Sequence, residues 1–285
     1  MKNKIIIISG DPNSINSEII LKSWKYLSHK IKKRIYLISN YNLLIRQSKK
    51  INLPTKINKV KSLNDQINEK SLKVIDLDLK FKNPFKISKK NSSKFVISSL
   101  NLAHKLALNK DVAGIINCPI NKNLLNRKKI GVTEFLASKC RIKKNTEVML
   151  IKGRKSAVSP LTTHIDISQV TKKIKKKLIT NKVETINKYY KIFFKKKPRI
   201  GILGLNPHNS ENRKDSIEKK IILPTIIYLK KKKFNCLGPL VSDTIFIDEY
   251  KNYDVILGMY HDQVLSPFKA IEKFNAINIT LGLRY

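Results

Sequence analysis

Short apolar runs that break at Gly, Asp, Asn or Pro and give way to amphipathic segments recur along this chain, and that alternation leaves few folds open. Residues 5–9, four isoleucines and a serine, stop at Gly10-Asp11-Pro12, and Ser17-Glu18-Ile19-Ile20 then opens an amphipathic segment through Trp24 and Leu27. This predicts strand, loop and helix. Residues 34–39 and 41–50 repeat the pattern, 51–91 read as short strands and loops, and 93–109 as a helix before an apolar strand at 112–117. Further on, 148–151 and 157–161 predict a strand pair, 167–179 and 183–194 helices, 199–205 a strand, 217–231 a helix and 255–259 a strand. Strands alternating with helices predict a doubly wound α/β architecture. A length of 285 residues suits two domains. We place the first at 1–120 plus 245–285 and the second at 121–244.

Lys+Arg 59 against Asp+Glu 20 gives a formal charge of +39, which at first points to nucleic acid or an anionic membrane. Only eight of those basic residues are Arg, the side chain best suited to bidentate phosphate and base contacts. Lys, Ile and Asn are abundant from end to end, as a coding bias would produce. The Lys runs at 172–177 and 230–233 therefore read as solvated helix faces, and neither nucleic acid nor membrane is expected as a partner. The charge would still attract phosphorylated or carboxylated small molecules. Cys118, Cys140 and Cys236 are odd in number and lack CxxC spacing, so they are expected to be small buried hydrophobes of a cytoplasmic protein. The apolar start is too short for an export core, and no stretch approaches the ~20 apolar residues of a membrane helix.

His164, His208 and His261 each stand just past a strand-like run, in the contexts Leu-Thr-Thr-His, Leu-Asn-Pro-His and Met-Tyr-His-Asp-Gln. Any one of them alone is more often a loop or core residue satisfied by hydrogen bonds. As a trio in matching positions they point to a catalytic divalent-metal centre with an open coordination position. Separations of 44 and 53 residues exclude a local finger or a His-Glu-x-x-His helix, so the ligands meet only in the folded protein. No Gly-x-Gly-x-x-Gly follows a strand; Gly201-Ile-Leu-Gly204 has the wrong spacing.

Several motifs taken in order resemble one family. They are Gly10-Asp11-Pro12, Asn117-Cys118-Pro119-Ile120-Asn121-Lys122, Gly131-Val132-Thr133-Glu134-Phe135-Leu136-Ala137, Leu161-Thr162-Thr163-His164, Gly204-Leu205-Asn206-Pro207-His208, Gly238-Pro239-Leu240 with Ser242-Asp243-Thr244, Met259-Tyr260-His261-Asp262-Gln263, and Asn278-Ile279-Thr280-Leu281-Gly282-Leu283. Together they resemble the 4-hydroxythreonine-4-phosphate dehydrogenases of pyridoxal phosphate (vitamin B6) biosynthesis. The resemblance implies two α/β/α domains with a cleft between them, like the isocitrate and isopropylmalate dehydrogenases. It implies a homodimeric oxidoreductase with its active site at the subunit interface, dependent on NAD and on a divalent metal (Zn, Mg, Mn or Co). Its reaction would be oxidation of 4-phosphooxy-L-threonine to a β-keto acid that decarboxylates to 3-amino-2-oxopropyl phosphate.

On the matching positions, His164, His208 and His261 become metal ligands, one of them supplied by the partner subunit, and Thr133, Lys269 and Asn278 contact substrate. Asp243 and Asp262 are candidates for orienting ligating imidazoles or relaying the proton, with helix capping or a turn an equally good account of each, and Lys122, after a strand and Pro119, could face the cleft as a third catalytic candidate. Two departures bear on function. The family has His where this chain has Val132, which removes one polar contact with the substrate, worth ~1–3 kcal/mol. Family members also continue for several tens of residues past Leu281-Gly282-Leu283, through a segment that helps bind phosphate and NAD. The chain is thus expected to be a truncated relative of low stability, catalytically impaired or dead. A metal-dependent hydrolase of a small phosphorylated substrate would use the same three histidines.

Overall fold

A computed structural model describes residues 3–65, 70–125, 131–140, 142 and 146–285. The chain divides into two compact units, Met1–Cys140 with Arg284–Tyr285, and Arg141–Leu283.

The first unit begins with β1 (Lys4–Ile8), α1 (Asn16–Tyr26), a single helical turn α2 (His29–Lys32), β2 (Ile35–Ser39), α3 (Tyr41–Lys50), β3 (Ile57–Val60) and β4 (Leu72–Asp76). It continues with α4 (Lys89–Ala107), β5 (Val112–Asn117) and α5 (Val132–Lys139). Its five strands are all parallel, in the order β3-β4-β2-β1-β5. Ile20, Leu21 and Trp24 of α1 and Leu44 of α3 pack with Ile35, Leu37, Leu72 and Val74 of the sheet. Helix α4 lies against β1, β2 and β5. Burial of a parallel sheet by helices is what an unbroken isoleucine run demands, since polar alternation would place polar groups under a helix. Asn40 caps α3, its Oδ1 accepting from Leu43 N at 2.8 Å, and Ser88 caps α4 in the same way through Asn91 N.

The second unit contains β6 (Val148–Lys152), β7 (Ala157–Pro160), α6 (Ile167–Lys173), α7 (Lys176–Phe194) and β8 (Ile200–Leu203). A π-helical turn at Glu218–Ile222 leads into α8 (Leu223–Lys231), followed by β9 (Cys236–Leu240), β10 (Val255–Gly258), α9 (His261–Glu272) and β11 (Ile277–Leu281). The sheet order is β11-β6-β7-β10-β8-β9, with β11–β6 and β6–β7 antiparallel and the remaining pairs parallel. Strand alternation sends Val255 and Leu257 to one face, where they meet Ile179, Val183 and Ile186 of α7 and Ile226 of α8. Ile256 goes to the other, against Val264, Leu265 and Phe268 of α9. Helices on both faces complete an α/β/α sandwich, the architecture expected from the alternation.

The domain assignment needs correction. The boundary lies at 140 rather than 120, and residues 245–283, expected to return to the first domain, belong to the second. The reason is strand pairing: β10 sits between β7 and β8, and β11 extends the same sheet through β6. The helix break expected at 180–182 falls instead at Ile174, which is fully buried and leaves the helical conformation at ψ 112°. The three cysteines are buried free thiols, with burial pushing Cys118 and Cys236 up to about 11. Lys172, Lys173, Lys176 and Lys177 are exposed, as are Lys230 to Lys233, in keeping with solvated helix faces. No helix among the described residues is long and apolar enough to cross a membrane.

Candidate metal centre

The three histidines follow β7, β8 and β10, which are neighbours in the sheet and run parallel. Pro160 is in register with Gly258, and Leu257 with Ile202, so the carboxyl ends of the three strands are nearly level. Ligands gather at this end of open α/β sheets.

Side-chain hydrogen bonds tie the three following loops together. Thr162 Oγ1 donates to Met259 O at 2.8 Å, joining the His164 loop to the His261 loop. Gln263 Oε1 accepts from Met259 N at 2.7 Å while its Nε2 donates to Gly204 O at 2.7 Å, joining the His261 loop to the strand end that leads into His208. Thr162 and Gln263 are both buried, so these bonds face little competition from water. Gly258 permits the close approach, because a Cβ there would lie 2.4 Å from Val264 Cγ1 in the first turn of α9.

His164 adopts a left-handed conformation, φ 51°, and is exposed; His261 is the first residue of α9. Their ring centroids are 6.0 Å apart. Two imidazoles that share an ion through nitrogens at ~2.1 Å have ring centres roughly 5–6 Å apart, so this pair fits a common cation. Asp262 Oδ1 lies 2.7 Å from His261 Nδ1, which orients the ring and leaves Nε2 for an ion. His208 is exposed within Pro207–Asn212, where His208, Asn209, Ser210 and Glu211 all have left-handed backbone angles. Such angles cost a non-glycine residue ~1–2 kcal/mol, so the surroundings must hold this segment in place. Among the described residues, no three His, Cys, Asp or Glu side chains of one chain gather closely enough to hold an ion. The structure brings His164 and His261 together and does not complete the trio within a single chain.

The buried Glu218 carboxylate organises the His208 segment. It accepts from Leu205 N at 2.9 Å, Asn206 N at 2.8 Å and Ser210 Oγ at 3.0 Å. Burial alone would raise its proton affinity, but the bonds from the main-chain amides of Asn206 and Glu218, from Asn206 Nδ2 and from Ser210 Oγ outweigh it and hold the carboxyl below the ordinary Glu range.

The remaining expected residues divide between the units. Lys122 is exposed in a short 3-10 turn, Lys122–Leu124, of the first unit. Val132 and Thr133 open α5 there, half-buried, with Glu134 Oε2 accepting from Gly131 N at 3.1 Å to fix the start of the helix. In the second unit, Asp243 is exposed in the turn after β9, Lys269 is exposed on α9, and Asn278 is exposed on the edge strand β11 opposite Ile151. Gln263, Thr162 and Glu218 had no expected role. The first two lie inside the histidine motifs, whereas nothing in the local sequence marks Glu218.

Comparison with known proteins points to one family. Residues 30–285 match the family model described as pyridoxal phosphate biosynthetic protein PdxA. A 4-hydroxythreonine-4-phosphate dehydrogenase from Sulfurihydrogenibium sp. is 36% identical over 291 residues, covering 99% of this chain and 87% of its own length. One from Aquifex aeolicus is 35% identical, covering 100% of this chain and 88% of the relative. The crystal structure of 4-hydroxythreonine-4-phosphate dehydrogenase from Klebsiella pneumoniae superposes with a TM-score of 0.86 at 26% identity, covering 99% of this chain and 89% of that one.

Proposed function

The chain belongs to the PdxA family of pyridoxal phosphate biosynthetic proteins, and we propose that it oxidises 4-hydroxythreonine 4-phosphate with NAD at a divalent-metal centre held by His164, His208 and His261. The observation that carries the metal assignment is the level, cross-tied set of strand ends from which all three imidazoles emerge, two of them already 6.0 Å apart. A divalent cation would supply Lewis acidity to the substrate hydroxyl and to the ketone formed from it, while NAD would accept the hydride. The β-keto acid so formed would lose carbon dioxide to give 3-amino-2-oxopropyl phosphate.

This chain's residues take the remaining tasks. Asp262 fixes the His261 tautomer through Nδ1. Lys269 offers a cation to phosphate or carboxylate, and Thr133 and the Asn278 amide offer hydrogen bonds to substrate oxygens. Asp243 and Lys122 are proposed to handle the hydroxyl proton. Val132 contributes no polar contact, so substrate is held less firmly than a histidine there would hold it. The metal site is proposed to be completed in a homodimer, with one imidazole crossing from the second copy. Of Zn, Mg, Mn and Co, three imidazoles match Zn and Co best, whereas Mg and Mn would need oxygen ligands from substrate and water. Three buried free thiols support a reducing, cytoplasmic setting.

The test is reduction of NAD in the presence of 4-hydroxythreonine 4-phosphate and a divalent cation. Activity should vanish on chelation, return on adding the cation, and fall to background in His164→Ala, His208→Ala and His261→Ala. Undiminished turnover in any of these three variants would contradict the ligand assignment.

A further inference from the structure

We propose that Glu218 is a positioning residue of the metal centre, setting the His208 segment in the one shape from which its imidazole can ligate. This inference rests on the reading of His208 as a ligand. Four consecutive residues, His208 to Glu211, have φ between 47 and 54° and ψ between 28 and 38°, and none of them is glycine. A run of this kind does not hold itself, because each residue would relax to a right-handed or extended conformation if released. Something outside the run must fix it, and Glu218 holds the chain just ahead of the run, at Leu205 and Asn206, and within it, at Ser210.

Ahead of the histidine, Glu218 Oε1 accepts from the main-chain amides of Leu205 and Asn206 at 2.9 and 2.8 Å and from Asn206 Nδ2 at 3.2 Å. Beyond it, Oε2 accepts from Ser210 Oγ at 3.0 Å. A side chain that accepts from four donors must be an acceptor at both oxygens, which a carboxylate is and an amide is not. The residue is 2% exposed, so water does not substitute for it. Its own position is rigid: it opens the π-helical turn that runs into α8, whose Ile226 and Leu229 are in the core. A second tether, Asn209 Nδ2 to Pro239 O at 3.0 Å, anchors the middle of the run to the end of β9. Strain in the segment is thus opposed by a charged clamp on a core helix, the arrangement by which supporting groups set a ligand's place.

The test uses the full chain, Co2+ as the probe ion, and the ligand-field absorption of bound cobalt as the readout. Wild type should give a saturable spectrum that His164→Ala abolishes. Glu218→Gln, which keeps the volume but turns one acceptor into a donor, should bind Co2+ ~10-fold more weakly with a shifted absorption band, while thermal unfolding stays cooperative. Ser210→Ala removes only the contact beyond His208 and should weaken binding in the same direction by less, so the inference remains testable if Glu218→Gln does not fold. Adding Ser210→Gly to Glu218→Gln should restore part of the affinity, since glycine takes the left-handed shape without penalty. Wild-type affinity and spectrum in the folded Glu218→Gln protein, or in Ser210→Ala where Glu218→Gln does not fold, would overturn the positioning role and leave the metal reading intact. Absence of any histidine-dependent cobalt spectrum in wild type would overturn the metal reading, and this inference with it.

Discussion

Residue by residue, the sequence marks groups that carry their own chemistry and is silent on those that hold them. Imidazoles after apolar runs stand out because His is uncommon there and binds metal. Thr162 and Gln263 stand beside those imidazoles, yet a hydroxyl and an amide have many ordinary uses, so their bridging bonds emerge only when the strand ends are seen side by side. Glu218 is ten residues from His208, and its spacing suggests no more than an acidic first helical turn. Val132 is the opposite case, a residue legible through what it lacks. It opens α5 at a half-buried position beside Thr133. Replacing it with a donor that bonds the substrate should contribute ~1–3 kcal/mol. Val132→His is therefore expected to lower the KM for 4-hydroxythreonine 4-phosphate about tenfold with little change in kcat, and steady-state kinetics that leave KM unchanged would show that no polar contact is wanted there.

Among the elements, apolar periodicity locates several buried strands and helices because both depend on burial, but it does not reveal α9 or β9. Helix α3 falls at the expected residues and β10 within one. Strand β11 was missed because exposure at Ile277 and Asn278 hides its period, and its place depends on antiparallel pairing with β6, more than a hundred residues away. The break between α6 and α7 was misplaced for a related reason. No Gly or Pro marks it; the chain turns where Ile174 drops into the core cluster beneath α7. That account makes Ile174 a packing hinge rather than a helix residue. Ile174→Ala should destabilise the protein by about 2–4 kcal/mol through the cavity it leaves, measured by denaturant unfolding. Ile174→Val should cost far less, and a loss below ~1 kcal/mol for the alanine variant would mean that the turn is held by something else.

For the whole molecule, composition says less than placement does. The excess positive charge is carried largely by lysines on exposed faces, such as those of α6, α7 and the end of α8. Domain boundaries were read poorly because they depend on which sheet a strand joins, and β10 could be assigned only once its neighbours β7 and β8 were known. The same limit applies to the proposed metal centre, whose third proposed ligand is not gathered with the other two among the described residues of one chain. The proposed symmetric dimer would resolve this, because a two-fold operator contributes the same imidazole to each of two sites. The arrangement has a quantitative signature. Suppose two of the three inactive variants His164→Ala, His208→Ala and His261→Ala are mixed in equal amounts and allowed to exchange subunits. When the pair includes the crossing imidazole, each heterodimer contains one site with both lesions and one with none. With half the dimers mixed, about a quarter of wild-type activity returns. When the pair consists of the two ligands from one chain, every site carries a lesion and nothing returns. Two of the three mixtures should therefore recover activity, and the silent mixture identifies the two histidines that share a chain. Recovery in none of them would mean that each subunit builds its site alone.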